Sequence, residues 1–211
     1  MTRLTRAEQQ QRTHEHLLDA GREVFLRRGF LMATVEEIAA DAGYTRGAVY
    51  KHFGGKEGLW LAIIEATTEA HLQGLRKALD HATTRDQLIA ALAPIDPADK
   101  DAAKWSAAAA EVLAATAQQP ETATLIAAIQ RRHDDEVVAL LSEHSRRLHL
   151  EPAMPLHQAV IMLGALGIGL ALRRTVAPAG DPAAILTHVL DSVFPPATGP
   201  SPRTRVPESG L

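Results

Sequence analysis

The segment from Thr34 to Lys56, T-V-E-E-I-A-A-D-A-G-Y-T-R-G-A-V-Y-K-H-F-G-G-K, leaves this chain few ways to fold. It reads as two short helices joined by a tight glycine turn. Thr34 can cap the first helix, with Glu37 three residues on completing a capping box, and Val35, Ile38 and Ala39 then fall on one face. Gly43 supplies the backbone freedom of the turn, Thr45 can cap again, and Val49 with Phe53 directs a second apolar stripe at the same small core. The opposite face carries Gly47, Tyr50 and Lys51, with Arg46 in the first turn, the position from which a helix lying in a major groove meets base edges. No acidic residue occurs between Tyr44 and Lys56.

Together with R-T-H-E-H-L-L-D-A-G-R-E-V-F-L-R-R-G-F before it and K-E-G-L-W at its end, this segment resembles the tetracycline-repressor (TetR) family of bacterial transcription regulators. The order of F-x-x-x-G-F, A-G-x-[ST]-x-G-x-x-Y and H-F-x-x-K-E carries the resemblance, and a generic helix-turn-helix would not demand it. Beyond about residue 65 the likeness is one of architecture only. It implies an all-α chain, with a three-helix DNA-binding domain over residues 1–55 and a helical effector-binding and dimerisation domain over 56–194. Tyr44 departs from the family, which more often has a small aliphatic residue there; its phenol either contacts phosphate or packs against the turn.

Composition agrees with helices throughout, since alanine is abundant and only 4% of the 211 residues are aromatic. Cysteine is absent, which excludes disulfides and thiolate metal sites and agrees with a reducing cytoplasm. The net charge of −3 argues against nucleic acid only until it is divided: residues 1–60 carry nine basic and eight acidic side chains, and the acidic excess lies beyond them. Arg46, Lys51 and Lys56, with His52 among them, form a local electropositive patch. The first residues lack the apolar stretch of a secretory signal.

Periodicity and breakers extend the path. A helix from Thr5, boxed by Glu8, runs through Leu17, Val24 and Phe25 to Gly29, and Lys56 opens a long helix leading into the second domain. Pro94 and Pro97 interrupt the pattern; helices then follow over Ala98 to Ala117, from Pro120 to about Leu148, and to about Val176. A last helix runs through Ile185, Leu186, Val189 and Leu190, and the Pro-, Gly- and Ser-rich tail over 195–211 reads as disordered. The apolar run Ala159 to Leu172 spans fourteen residues, short of the roughly 18 a bilayer demands, so no membrane association is expected. Apolar nearly all round, it must be covered on every side, either as the central helix of a monomer's core or by pairing with its twin across a two-fold axis. The resemblance favours a homodimer, with Leu163, Leu166, Gly167, Leu170, Leu186, Val189 and Leu190 at the interface.

The resemblance also assigns DNA roles. Thr34 and Lys56 would stand at helix N-termini beside the backbone of a palindromic double-stranded operator, where free amides and the dipole favour phosphate. Tyr50 and His52 match the family's phosphate-contacting pair, with a simple cap on the turn as the alternative for His52. Arg46 is the candidate for base readout, Thr45 flanks it, and Lys51 reaches phosphate or only solvent. Gly47 costs about 1 kcal/mol against alanine in a helix, which makes sense where backbone meets DNA, although a tolerated glycine is the bland alternative. Trp105, Leu113, Ile126, Ile129 and His133 are plausible lining for a small-molecule effector, or simple core.

An enzyme reading finds little. His133, Asp134, Asp135 and Glu136 are adjacent on a helix and so point apart, and neither a nucleophile elbow nor H-E-x-x-H occurs. The expectation is a cytoplasmic ligand-responsive repressor with no cofactor and no metal. An ungated regulator or activator, and less readily a helical enzyme or adaptor, are the alternatives.

Overall fold

The computed structural model describes residues 5–93, 100–116, 119–176 and 181–196, and those residues form nine α-helices with no strand among them. The helices are α1 (Arg6–Met32), α2 (Val35–Asp41), α3 (Arg46–Phe53), α4 (Lys56–Asp80), α5 (Arg85–Leu92), α6 (Lys100–Thr116), α7 (Pro120–Arg147), α8 (Leu156–Val176) and α9 (Pro182–Val193). Local signals set many of the ends. Thr5 and Glu8 form a full capping box, Thr84 and Asp181 accept from the amides of Gln87 and Ala183, and Pro120 and Pro182 open α7 and α9. The expected breaks at Pro94 and Pro97, and the tail beyond Pro196, lie outside the described residues.

The helical geometry of α1 breaks at Gly29, as expected, at φ 75° and ψ 169°, and a short turn resumes to Met32, so the chain kinks and tucks Phe30 under the fold. Phe30 stacks on Phe25 at 5.6 Å and meets Trp60 edge-on at 5.5 Å. This aromatic knot anchors one core, built from Leu17, Val24, Ile38, Val49, Leu59 and Trp60 together with Ala108 and Val112 of α6. The second core joins Leu72, Leu79, Leu88, Leu141, Leu190 and Phe194. Helix α4 supplies both, and the first core draws on residues either side of position 55.

Helix α6 lies along α1 and packs against α8 and α7. The Glu111 carboxylate of α6 accepts from the Leu31 amide at 3.0 Å, directly over the kink. Trp105, also on α6, stacks on Trp60 at 4.6 Å.

The helix around the fourteen-residue apolar run is longer than the run itself: Leu156–Arg174, nineteen residues at mean hydropathy 1.5, is long and apolar enough to cross a membrane. One side of it packs on α6, α7 and α9. The other side is open, with Ile161 and Ile168 49% and 48% exposed, and Ile185 of α9 43% exposed. By contrast Leu186 and Leu190 are buried inside the protomer and Leu163 and Leu166 pack half-buried on the same core, so these expected interface residues face inward. Leu170 and Val189 are half-buried, and Gly167 borders a partly open cavity that Ile168 also edges. The reason is rotation: helical periodicity identified which helices are apolar, but on a helix apolar all round it cannot say which side meets the protomer's own core.

Candidate nucleic-acid interface and effector cavity

Helices α2 and α3 form the expected pair. Thr34 accepts from the Glu37 amide at 3.2 Å, yet the Glu37 carboxylate turns to Arg27 at 3.2 Å instead of closing the capping box. Asp41 joins it at 2.8 Å from the same guanidinium, which ties α2 to α1. Gly43 carries the turn at φ 74°, and the Tyr44 amide reaches back to the Ala39 carbonyl at 2.8 Å. Thr45 holds the N-cap position of α3 in extended geometry, but its side chain makes no cap bond. Its hydroxyl and the amides of Arg46 and Gly47 make no hydrogen bond among the described residues, while the Ala48 amide donates to the Thr45 carbonyl at 2.9 Å.

On α3 only Val49 is fully buried, while Thr45, Arg46, Gly47, Tyr50 and Lys51 are all exposed. A side chain at Gly47 would meet nothing closer than the Thr45 hydroxyl at 3.7 Å, so the fold itself does not require glycine there. Arg46 lies 5.9 Å from the Tyr50 ring centre and pairs with Glu36 at 2.9 Å. That hydrogen bond holds the Glu36 carboxyl below the usual carboxylate range. Glu36 lies ten residues before Arg46, so a count of acids within α3 missed it. Both side chains are more than 60% exposed, and an exposed pair of this kind contributes little to stability and exchanges readily for another anion.

His52 is half-buried, 5.8 Å from the His14 ring and 6.1 Å from that of Phe53. Burial first, then the charges of His14 and Lys51, push its pKa below that of an ordinary histidine. Two expected contacts are occupied internally. The Tyr44 hydroxyl lies 3.5 Å from His16 Nδ1, with the two rings tilted at 6.1 Å, which fits packing against the turn. Lys56 Nζ donates to the carbonyls of Phe30 and Ala33 at 3.0 and 3.1 Å and sits 4.6 Å over the Phe30 ring. A lysine so held caps the end of α1. Its ammonium is not extended toward solvent, although Lys56 does stand at the start of α4 as expected.

A cavity of about 390 Å³ opens between α4, α6, α7 and α8, floored by Leu186 of α9. Of the five expected lining residues only His133 borders it. Trp105 belongs to the tryptophan stack in the first core, Ile126 packs on that core, Leu113 is exposed, and Ile129 lies half-buried beside the cavity lining. The α7 lining is instead Gln130, His133, Asp134, Val137 and Leu141, steps of three and four residues that mark one helical face. His71 of α4 completes the polar end, its ring 5.3 Å from that of His133. Burial is the main cause that lowers both imidazole pKa values; for His133 the charge on His71 adds to it, while Asp134 and Glu136 oppose it. A groove on the other side of His133, lined by His14, Glu69, Arg132 and Glu136, is crossed by the Arg132 to Glu65 ion pair at 2.6 Å.

The family of bacterial regulatory proteins, tetR family, matches residues 17–63. The HTH-type transcriptional regulator SrpR of Pseudomonas putida is 45% identical over 64 residues, and that match spans 30% of each chain, so this chain covers less than a third of SrpR. The HTH-type transcriptional regulator BetI of Brucella suis is 30% identical over 142 residues, 67% of this chain and 65% of BetI. Among solved structures, a TetR-family regulator of Rhodococcus sp. superposes with a TM-score of 0.74 at 18% identity, over 87% of this chain and 99% of that one. At that identity the superposition speaks for the fold alone.

Proposed function

We propose that this chain, which belongs to the tetR family of bacterial regulatory proteins, is a cytoplasmic transcriptional repressor that binds a palindromic operator as a homodimer and is released by a small-molecule effector. The observation that carries the reading is the outward face of α3, where Thr45, Arg46, Gly47, Tyr50 and Lys51 stand exposed together while Val49 anchors the helix behind them. Such a face can enter a major groove, with Arg46 exchanging Glu36 for a guanine edge and the others meeting phosphate. Two copies of α3 must then lie about 34 to 36 Å apart, or a multiple of that. The open face of α8 and α9, bearing Ile161, Ile168 and Ile185, is the surface that pairing across a two-fold axis would cover.

Fragments of the source genome selected on the purified protein, followed by mobility shifts at fixed salt, test this directly. Arg46→Ala should cost about 1 to 3 kcal/mol on the selected site and almost nothing on random DNA. Lys51→Ala should weaken both and reduce the salt slope by about one. Equal affinity for selected and random DNA in the native protein would end the operator reading. A reporter fused to the selected promoter reads the sign of regulation, and effector release obeys reciprocity: operator must weaken effector binding by the factor by which effector weakens operator binding.

A further inference from the structure

The cavity between α4, α7 and α8 changes character along its length. Two successive turns of α7 present Gln130, His133 and Asp134 and then Val137 and Leu141, while α4 passes from His71 to Leu75 alongside. One end is polar, the other hydrocarbon. At the polar end Gln130 Nε2 donates to Asp134 at 2.9 Å, and among the described residues no lysine or arginine pairs with Asp134 or lines the cavity. Two cations of α7 and α4 are engaged elsewhere: Arg132 holds Glu65 at 2.6 Å, and Arg76 reaches Glu136 at 4.0 Å.

We propose that this cavity takes a lipophilic amine, its ammonium set against Asp134 within reach of the His71 and His133 rings and its hydrocarbon among Leu75, Val137 and Leu141. The assignment rests on reading the cavity as the effector site. A partly exposed carboxylate that accepts from the Gln130 amide and pairs with no lysine or arginine among the described residues gains from a ligand that brings a positive charge, because the ammonium adds a charge-assisted hydrogen bond. An anionic head would meet Asp134, with Glu136 just behind on the same helix, and would find no cation in the lining. His133 Nδ1 is also buried without a partner, and unprotonated imidazoles accept from an ammonium without repelling it.

Calorimetry on the full-length protein near pH 7.5, with phenylbutylamine, phenylbutanol and phenylbutyrate as matched probes, tests the assignment. The amine should bind about tenfold or more tightly than the alcohol, with the carboxylate weakest. Asp134→Asn should abolish the preference for amine and keep the alcohol within about twofold, the alcohol serving as the check on folding; Asp135→Asn, an exposed neighbour, should change neither. Amine affinity should fall as pH drops through the titration of His71 and His133, since an imidazolium repels ammonium, whereas an anion would show the opposite slope. Tightest binding by phenylbutyrate, or an amine preference that survives Asp134→Asn, overturns the proposal and leaves the effector site standing. Failure of all three probes to bind overturns both. Asp134-dependent amine binding that leaves operator affinity unchanged supports the amine site and overturns the gating.

Discussion

Substituting Gly29 and Glu111 singly and together would measure how firmly α6 grips the kink of α1 beside the helix-turn-helix. Glu111→Ala removes the acceptor of the Leu31 amide, a bond to a charged group at 3.0 Å; partial exposure reduces its worth to about 1 kcal/mol. Gly29→Ala forces a side chain into φ 75°, ψ 169°, a region that is nearly glycine's alone and costs about 1 to 3 kcal/mol. The new Cβ would also lie 2.8 Å from both Glu111 carboxylate oxygens. The carboxylate is the flexible partner and must swing away, so the bond to Leu31 is lost in this variant too. Gly29→Ala should therefore cost about 2 to 4 kcal/mol, and the double variant hardly more, giving a coupling of about 1 kcal/mol. Thermal melts followed by circular dichroism at one fixed protein concentration read this directly, at about 2 to 4 °C per kcal/mol for a chain of this size. Losses that add to within about 0.3 kcal/mol would refute the shared bond.

Lys56→Ala should lower stability by about 1 to 3 kcal/mol through the carbonyls of Phe30 and Ala33, whereas Lys51→Ala should stay within about 0.5 kcal/mol in the same melts. Stability should fall on acidification from about pH 7.5 to about pH 5.5. His52, His71 and His133 all titrate below the ordinary value of 6.5, so the unfolded chain takes up protons first, and their contribution is full above that value and lost as pH falls through it toward the folded values. His133→Asn should flatten that slope in melts across the range, and an unchanged slope would count against burial as its cause. Ile161→Arg, on the open face of α8, should give a folded protein that sediments as a 22.7 kDa monomer and loses operator binding, while Leu190→Arg, fully buried in the protomer, should not fold.

The helix-turn-helix was legible because its signals are local. Thr34, Gly43 and Thr45 announce caps and a turn within a dozen residues, and the burial of Val49 follows from helical spacing. What escaped depends on which distant group happens to be near. Nothing around Lys56 tells that its ammonium turns back to carbonyls 23 and 26 residues earlier, and nothing near Leu31 points to a carboxylate 80 residues on. The cavity escaped for a subtler reason: α7 has apolar residues on more than one side, and a small rotation exchanges the stripe holding Ile126 and Ile129 for the one holding Gln130, Asp134 and Val137. His133 lies at the border of the two stripes, which is why it alone of the five also borders the cavity.

Trp60 and Trp105 are the chain's only tryptophans, and they lie face to face, one on the helix that leads away from the helix-turn-helix and the other on the helix latched to the kink of α1. All the indole emission of this protein therefore comes from a single junction. Stacked rings quench and shift one another with a steep dependence on separation, so a slide of α6 against α4 by a fraction of a helical turn would alter intensity and wavelength together. The native chain carries its own optical gauge between the cavity and the helix-turn-helix, and stopped-flow emission after mixing with a ligand or DNA would time any slide of α6 without a label.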